Sequence, residues 1–274
     1  MAALALTRAL ALLQRYPGTL LLPTLLIVAA GAGINHALGG LALSKLGHFL
    51  VIIAGLLVNF LLTCAAFLCV ANYTVRSESN SEQPEIRNIL DSFRYPGCER
   101  LFTGLLTRFA LTLVAAGGLT MLVVALGFAA LKASTHVAVP RSVSGPAYLW
   151  VAIALSVVIL SRWAVAVPLF VQSEGRLRAV FATSARAIQA HRGFVIVFSL
   201  LAEAVSYPLV RLTAPLHPHL SEGAARYVPH VLEIVAAHGF GAVVWTYWMI
   251  VMTMLAMRLQ GGDEPVPVTP MAVA

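Results

Sequence analysis

The sequence predicts an all-α membrane protein, a polytopic bundle of transmembrane helices, and three observations lead to this prediction. Hydrophobic residues make up 59% of the 274 residues and charged residues only 11%, whereas about a quarter of a soluble domain is charged. The mean hydropathy is +0.87. The apolar residues form long blocks, near the roughly 20 residues that a bilayer core requires. Because so few charges do not cover a water-exposed surface, the composition excludes a soluble globular protein.

Six apolar blocks predict six spanning helices. They cover residues 19–38, 49–75, 101–131, 147–171, 194–215 and 237–258. The third block has a charge-free stretch, 109–131, that is long enough to span alone. Its glycines predict close approach by another helix; they are Gly117, Gly118 and Gly127. The fourth block contains Arg162 and the fifth contains Glu203, so hydropathy defines these two spans least clearly.

The distribution of Lys and Arg predicts the orientation of the spans. The net charge is +7, but the basic residues stand in the gaps between apolar blocks, and no basic stripe with interleaved aromatic residues indicates nucleic-acid binding. Thirteen of the 18 basic residues lie on one side, and the other five are Lys45, Lys132, Arg141, Arg211 and Arg226. By the positive-inside rule, the richer side and both termini face the cytoplasm of a cell (inner) membrane.

The first block has an alternative interpretation as a cleaved signal peptide. Arg8 and Arg15 precede an apolar run that ends in small residues, which is also the pattern of a secretion signal. Loss of this block would leave five spans. The sequence otherwise predicts a single transmembrane domain over residues 1–260 and a disordered tail over residues 261–274.

Three segments on the cytoplasmic side predict amphipathic helices. In 84–96 the apolar residues fall at i, i+3, i+4 and i+7, and a similar stripe runs through 174–192. Leu6, Leu10 and Leu13 repeat the pattern ahead of the first span. Either these helices lie in the bilayer interface with their Arg residues near lipid phosphates, or their apolar faces pack on the protein's own bundle. The sequence leaves both alternatives open.

An internal repeat connects these segments to the spans. RYPG occurs at 15–18 and at 94–97, and VRSE at 75–78 is matched by VQSE at 171–174. A glycine follows each of the latter two motifs nineteen residues later. The chain is therefore predicted to contain three copies of one unit, an interfacial helix, a break at Pro or Gly, and a hairpin of two spanning helices.

The stretch from residue 162 to residue 193 contains a distinctive pattern of residues. It combines an Arg in a spanning helix, a Pro six residues on, an acidic residue near the membrane exit, and an amphipathic helix with Ser-x-Arg and a closing Gly. These residues are Arg162, Pro168, Glu174, Ser184, Arg186 and Gly193. The pattern resembles the membrane domain attached to some glycerophosphodiester phosphodiesterases and related stand-alone six-helix bacterial membrane proteins of unassigned function. Ala185 stands where an aromatic residue is usual. The resemblance implies a fold, and no phosphodiesterase chemistry is carried over.

Charged and polar residues at depth in the spans are the candidate site. Arg162 and Glu203 each lie ten residues from the cytoplasmic end of their span, roughly 15 Å deep at about 1.5 Å per residue. An ion pair between them is geometrically natural, because their helices are consecutive and antiparallel. Arg108 lies at comparable depth, and Asn59 is mid-span in the second helix. Such charges mark either a cavity for an anion or lipid headgroup, or a structural pair with Arg108 reaching the interface.

A second group of candidate residues lies on the opposite side of the membrane. His217 and His219 form His-x-His, and His230 and Glu233 stand at i and i+3 on a predicted helix. Imidazole and carboxylate groups at such spacings hold zinc. The prolines around them are typical of an ordinary polar loop, so these four are weak metal candidates and no metal or cofactor is predicted. The three cysteines are interpreted as packing residues.

No Ser-His-Asp order, Walker loop, dinucleotide fingerprint or Cys-x-x-Cys motif occurs. We therefore expect a non-enzymatic integral membrane protein, an accessory or scaffold that engages lipid headgroups or a partner protein. The alternative is a transporter of a small anionic or lipid substrate through a cavity lined by Arg108, Arg162 and Glu203. Transporters normally have helices interrupted near mid-membrane, and Tyr207-Pro208 is a weak hint of one. A metal-dependent membrane hydrolase is a more distant alternative.

Overall fold

The computed structural model describes residues 2–39, 45–79, 90–135, 141–176, 179–213 and 227–261. Within these residues every regular element is helical, and no strand occurs. The nine α-helices in these ranges are α1 (Ala2–Arg15), α2 (Pro17–Gly39), α3 (Lys45–Ser79), α4 (Cys98–Thr135), α5 (Arg141–Leu160), α6 (Ala166–Gln172), α7 (Val180–Ala187), α8 (Arg192–Thr213) and α9 (Tyr227–Gly261). Short 3-10 helices cover Asp91–Arg94, Ser161–Trp163 and Gln189–His191. The all-α prediction is confirmed.

Four segments of the described chain are long and apolar enough to cross a membrane. They are Leu50–Ser79, Cys98–Ala130, Tyr148–Gln172 and Gly239–Gln260, and they coincide with four of the six predicted blocks. Two further pairs of helices pass the same test if each pair is one bent span: α1 with α2, at 92°, and α7 with α8, at 45°. The described residues therefore contain four to six candidate spans.

The sharp bend between α1 and α2 occurs at the first RYPG motif. The α1 helix ends at Arg15 and the α2 helix begins at Pro17, because proline suits the first position of a helix, where its missing N–H group is not needed. The Tyr16 ring packs edge-on against Tyr73, with ring centroids 5.7 Å apart. The bend therefore turns α1 across the bundle.

The buried face of α1 differs from the predicted stripe of leucines. Ala5 and Ala9 are fully buried, whereas Leu10 is exposed. The Tyr247 hydroxyl of α9 donates a hydrogen bond to the Leu6 carbonyl at 3.1 Å. Small side chains allow two helix backbones to approach closely, so the alanine face packs against α9 on the protein's own bundle. Leu13 of the predicted stripe is buried as well and Leu6 packs against the core, so the packed face includes part of the stripe and leaves out Leu10.

The core lies where α3, α6 and α9 meet. We call this region the packed end and define it by residues 64–74, 164–171 and 246–256. Six of its residues that are almost completely inaccessible are Leu68, Val165, Leu169, Ile250, Met252 and Leu255. Close contacts among the three helices exclude lipid and solvent from these side chains.

The second RYPG motif fastens the start of α4 to the packed end. Gly97 and Gly175 both have a positive φ, 84° and 76°, which glycine adopts without steric strain. A Cβ atom on Gly175 would overlap the carbonyl oxygen of Pro96. The loop before α4 therefore rests directly on the turn after α6. The first six residues of the predicted amphipathic segment 84–96 lie outside the described residues.

The outward part of α4, residues 111–126, contrasts with the packed end, and we call it the exposed half of α4. Most of its residues are exposed, and only the stripe of Thr112, Ala116, Thr120 and Val124 is buried. Val114 is 76% exposed and Leu122 is 55% exposed. A Cβ atom added to Gly117, Gly118 or Gly127 would meet nothing within 4 Å. Within the described chain, the close helix approach predicted from these glycines is therefore wrong.

Candidate functional site at an interrupted span

The span Tyr148–Gln172 is interrupted. The α5 helix ends at Leu160, the 3-10 helix Ser161–Trp163 follows, and α6 begins at Ala166. Pro168 explains the break, because proline lacks an N–H group and its ring collides with the carbonyl four residues earlier, that of Ala164. Just before the break, the Ala164 amide donates to the carbonyl three residues earlier, that of Ser161, at 3.3 Å. This spacing is the tighter pattern of a 3-10 turn.

Side chains from two other helices bond to the carbonyls at this interruption. The buried Ser184 hydroxyl of α7 donates to the Arg162 carbonyl at 3.0 Å. The Arg192 guanidinium at the start of α8 donates to the Val158 carbonyl at 3.1 Å, and its Nε lies 3.4 Å from Ser161 Oγ. Irregular backbone at membrane depth requires partners of this kind. The Arg162–Ser184 bond also links two residues of the Arg162–Gly193 pattern.

Arg108 of α4 reaches this interruption and is held there by aromatic rings. Its guanidinium carbon lies 3.7 Å from the centroid of the Phe181 ring and 5.4 Å from that of Trp163, which is cation–π geometry. Its Nη1 donates to the Gly104 carbonyl at 3.0 Å. A Cβ atom on Gly104 would overlap the Phe181 ring, so glycine is what allows the ring to lie over Arg108.

These residues meet at the interruption, Arg162 through its backbone carbonyl, and we call them the Arg108 cluster. Its members are Arg108, Ser161, Arg162, Trp163, Phe181, Ser184 and Arg192. Arg162 is exposed, and Arg108 and Arg192 are half-buried. The elements that build the cluster are α4, the 3-10 turn, α7 and the first residue of α8.

The arginines of the cluster have no carboxylate partner among the described residues. The ion pairs there are Arg8–Glu78 at 3.7 Å, Arg94–Asp91 at 3.8 Å and Arg176–Glu174 at 3.2 Å. The guanidinium groups of Arg108 and Arg192, and the turn that carries Arg162, therefore lie at the interruption without an acidic side chain paired to them among the described residues. Planar guanidinium groups bind phosphate or carboxylate oxygens strongly, so the arrangement suits an anion.

The ion pair between Arg162 and Glu203 is not formed in the described structure. The bond from Arg192 to Val158 sets the start of α8 beside the end of α5. Glu203 lies eleven residues further along α8, roughly 16 Å away at about 1.5 Å per residue, while Arg162 follows Val158 in the opposite direction. The expected equal depths assumed a straight helix before Gln172, which the interruption at Pro168 removes.

The structure thus brings Arg108 and the turn that carries Arg162 together and leaves half-buried Glu203 apart from them. Asn59 is half-buried on α3, and its carbonyl accepts a hydrogen bond from Thr63 Oγ1 at 2.8 Å. Its neighbour Phe60 stacks on Phe109, with ring centroids 3.9 Å apart. This part of α3 therefore packs against α4 beside the cluster.

The metal candidates His217 and His219 lie outside the described residues, and so do the side chains of His230 and Glu233. The predicted disordered tail is outside them as well, apart from its first residue. Among the side chains that the structure does describe, no group of three or more His, Cys, Asp and Glu is placed to hold a metal ion.

The sequence did not identify Trp163, Phe181, Gly104 and Arg192 as parts of a site. Phe181 lies within the segment 174–192 whose apolar stripe predicts an amphipathic helix, and Arg192 is one of the thirteen basic residues that predict the orientation. Pro168 was the available signal, since a proline inside an apolar block predicts a helix break in the turn before it, where Arg162 stands.

Comparisons with known proteins place the chain in no family: no protein family, no curated protein and no solved structure matches it. The likeness to the membrane domain of glycerophosphodiester phosphodiesterases stays a prediction from the residue pattern.

Proposed function

We propose that this chain is a non-enzymatic integral membrane protein that binds the phosphate groups of anionic lipids at the Arg108 cluster. In this proposal it has six spanning segments, with the two bent pairs each forming one span, and both termini in the cytoplasm. The observation that carries the proposal is the Arg108 guanidinium, held over the Phe181 ring with no acidic side chain beside it among the described residues.

The position of the cluster favours a lipid as the source of the anion. Most basic residues flank the packed end, so the positive-inside rule directs this end to the cytoplasmic leaflet. Anionic headgroups of that leaflet attract basic side chains. Arg162 is exposed on the outside of the cluster, where a lipid reaches it without entering the bundle.

The geometry of Arg108 leaves donors for a phosphate. Nη1 of Arg108 donates a hydrogen bond to the Gly104 carbonyl. The guanidinium has further N–H groups in the same plane. The ring of Phe181 covers one face of that plane at 3.7 Å. Stacking on the ring therefore fixes the orientation of the guanidinium plane and of the N–H groups that remain unbonded. This reduces the conformational entropy that Arg108 loses when a phosphate binds.

Lipid retention in native mass spectrometry tests the proposal. The protein is purified in a mild detergent and titrated with phosphatidylglycerol or with phosphatidylcholine. Arg108→Gln is expected to weaken phosphatidylglycerol binding roughly tenfold, because a hydrogen bond between charged groups contributes about 1.5–3 kcal/mol. Arg108→Lys keeps the charge but loses the planar fork, so intermediate binding is expected.

Arg100→Gln is the matched control. Arg100 lies on α4 two turns before Arg108 and is exposed, so this variant removes the same charge from the same helix outside the cluster. Equal losses in the two variants would mean that net charge, and not the cluster, attracts the lipid. Unchanged binding in a folded Arg108→Gln protein would refute the proposal.

The interruption of the span Tyr148–Gln172 favours a transporter as the second candidate function. Transporters place substrate sites at interrupted helices, and here the interruption adjoins three arginines. Proteoliposomes distinguish the two functions. Uptake of an anionic solute that Arg108→Gln abolishes would establish transport, and no uptake above protein-free vesicles would leave the binding function. A stoichiometric second polypeptide in the same mass spectra would support a scaffold instead.

A further inference from the structure

Glu203 lies on the side of α8 that packs against α9. The buried residues of α8 recur along one side of the helix; they are Val195, Ser199, Ala202 and Ser206. Ser199 Oγ accepts a hydrogen bond from Trp248 Nε1 of α9 at 2.9 Å, which fixes this side as the α9 contact. Glu203 is half-buried beside these residues.

A buried hydroxyl group stands next to this carboxyl group. Ser206 is only 5% exposed, and its Oγ has no hydrogen-bond partner among the described residues. Residues three apart on a helix are neighbours on its surface, so Ser206 and Glu203 share one side of α8. An unsatisfied buried hydroxyl is unfavourable by about 1–3 kcal/mol, and the Glu203 carboxyl, one helical turn away on the same side of α8, is a group able to accept its hydrogen bond.

No cationic side chain is placed to neutralise Glu203 in the described chain. On its own helix, Arg192 is eleven residues away, and the side chains of Tyr207 and Arg211 lie outside the described residues. The titratable or charged side chains described on the packed elements are Tyr148 on α5, Arg162 in the 3-10 turn, His191 in the other 3-10 turn, and Tyr247 and Arg258 on α9. The Tyr247 hydroxyl already donates to the Leu6 carbonyl. The side chains of His230, Glu233 and His238 lie outside the described residues.

We propose that Glu203 and Ser206 form a proton-binding site within the bilayer. The proposal rests on α8 being a spanning helix, as in the proposed function. An isolated carboxylate at membrane depth is unfavourable, whereas the neutral acid is tolerated. When the proton leaves, the Ser206 hydroxyl donates to the carboxylate. A metal cation such as Ca²⁺ needs six or more oxygen ligands, and two oxygen-bearing side chains do not supply them.

Labelling with dicyclohexylcarbodiimide, an apolar reagent that reacts with protonated carboxyl groups, tests the site. The acid O–H adds across one C=N bond, so the oxygen bonds to the central carbon and the proton moves to nitrogen. The acyl group then migrates to nitrogen, giving a stable N-acylurea with no leaving group. The protein in nanodiscs is labelled over a range of pH, and peptides are mapped by mass spectrometry.

We expect labelling at Glu203 that declines as the pH rises. Glu203→Gln should lose the label, and exposed Glu174, paired with Arg176 at 3.2 Å, should acquire little. Absent or pH-independent labelling of Glu203 would overturn the proposal. Lipid retention in Glu203→Gln reports separately on the Arg108 cluster and is expected to be unchanged, so failure of one site is distinguishable from failure of the other.

Ser206→Ala tests the role of the hydroxyl, and Ser199→Ala is its matched control. Loss of the hydroxyl donor proposed for the carboxylate should raise the pH midpoint of labelling, so that the proton concentration at the midpoint falls severalfold. Ser199 is engaged with Trp248, so its removal should leave the midpoint in place. Equal shifts in both variants, or no shift in Ser206→Ala, would show that the hydroxyl group is not part of the site.

Discussion

The packed end and the exposed half of α4 are built from the same kinds of apolar residues but have different surroundings. Leu169 of the packed end is 0% exposed, and Leu122 of the exposed half of α4 is 55% exposed. Around α6 the difference coincides with breaks in the chain, whereas the other two helices of the packed end, α3 and α9, are unbroken there. Pro168, Gly97 and Gly175 end or turn helices near α6, so the short helix fits among its neighbours, whereas α4 continues unbroken to Thr135.

This contrast indicates that packing in the bundle depends on local backbone geometry more than on hydrophobicity. In a bilayer, lipid tails are as apolar as leucine side chains, so van der Waals contact and hydrogen bonds distinguish a packed face from a lipid face. The hydrogen bonds between helices that the structure describes, such as Ser184–Arg162 and Thr246–Thr24, lie at the packed end or beside it.

A leucine-to-alanine substitution should change the free energy of unfolding much more in the packed end than in the exposed half of α4. Leu169→Ala is expected to lower the free energy of unfolding by about 2–5 kcal/mol, because it leaves a cavity among packed side chains. Leu122→Ala should change it by about 0.5 kcal/mol or less. Both are measured by reversible unfolding in mixed micelles with increasing SDS. Similar losses in the two variants would mean that the exposed half of α4 is covered by protein.

Substitution of two glycines on α4 sharpens the comparison within one helix. Gly104→Ala should lower the free energy of unfolding by about 1–3 kcal/mol, because its methyl group overlaps the Phe181 ring. Gly117→Ala meets nothing and should stabilise the helix by up to about 1 kcal/mol. The measurement is the same SDS titration. A neutral Gly104→Ala would contradict the placement of Phe181 over Arg108.

Removal of a serine hydroxyl tests the interruption itself. Ser184→Ala is expected to lower the free energy of unfolding by about 1–2 kcal/mol, since it leaves the Arg162 carbonyl without its side-chain donor. Ser79→Ala is the control, because the exposed Ser79 hydroxyl bonds only within its own helix, to the Val75 carbonyl. Its effect should be about 0.5 kcal/mol or less. Thermal unfolding followed by circular dichroism compares the two.

The smallest effect is expected at the buried threonine pair. Thr246 Oγ1 lies 2.7 Å from Thr24 Oγ1, and a hydrogen bond between membrane helices contributes on average about 0.6 kcal/mol. A double-mutant cycle with Thr246→Val and Thr24→Val should return a coupling of that size. Thr120 of α4 is buried without a described partner, so Thr120→Val should cost nothing. Absent coupling would remove this pair from the interactions that hold the packed end together.

The sequence predicted the spans well where length and hydropathy decide them. The blocks 49–75, 101–131, 147–171 and 237–258 all correspond to candidate spans of the structure. Two of the site residues, Arg108 and Arg162, were also recognised, because a charge within an apolar block is unfavourable and therefore conspicuous. Their aromatic and hydroxyl partners were not recognised, since side chains far apart in the chain meet only after the helices have packed.

The sequence by itself determined the all-helical class and four of the apolar spans. It pointed to Tyr207-Pro208 for an interrupted helix, whereas the interruption in the structure precedes Pro168. Only the tertiary structure decided which faces pack. On α1, Ala5, Ala9 and Leu13 are buried while Leu10 is exposed, and on α4 neither Gly117 nor Gly118 is approached by another helix in the described chain. It also decided that Arg108 meets Phe181 while Arg162 and Glu203 lie apart. The physical reason is that an apolar side chain is about equally stable in contact with lipid or with protein. Hydrophobicity therefore predicts which segments span the membrane but not which helices contact one another.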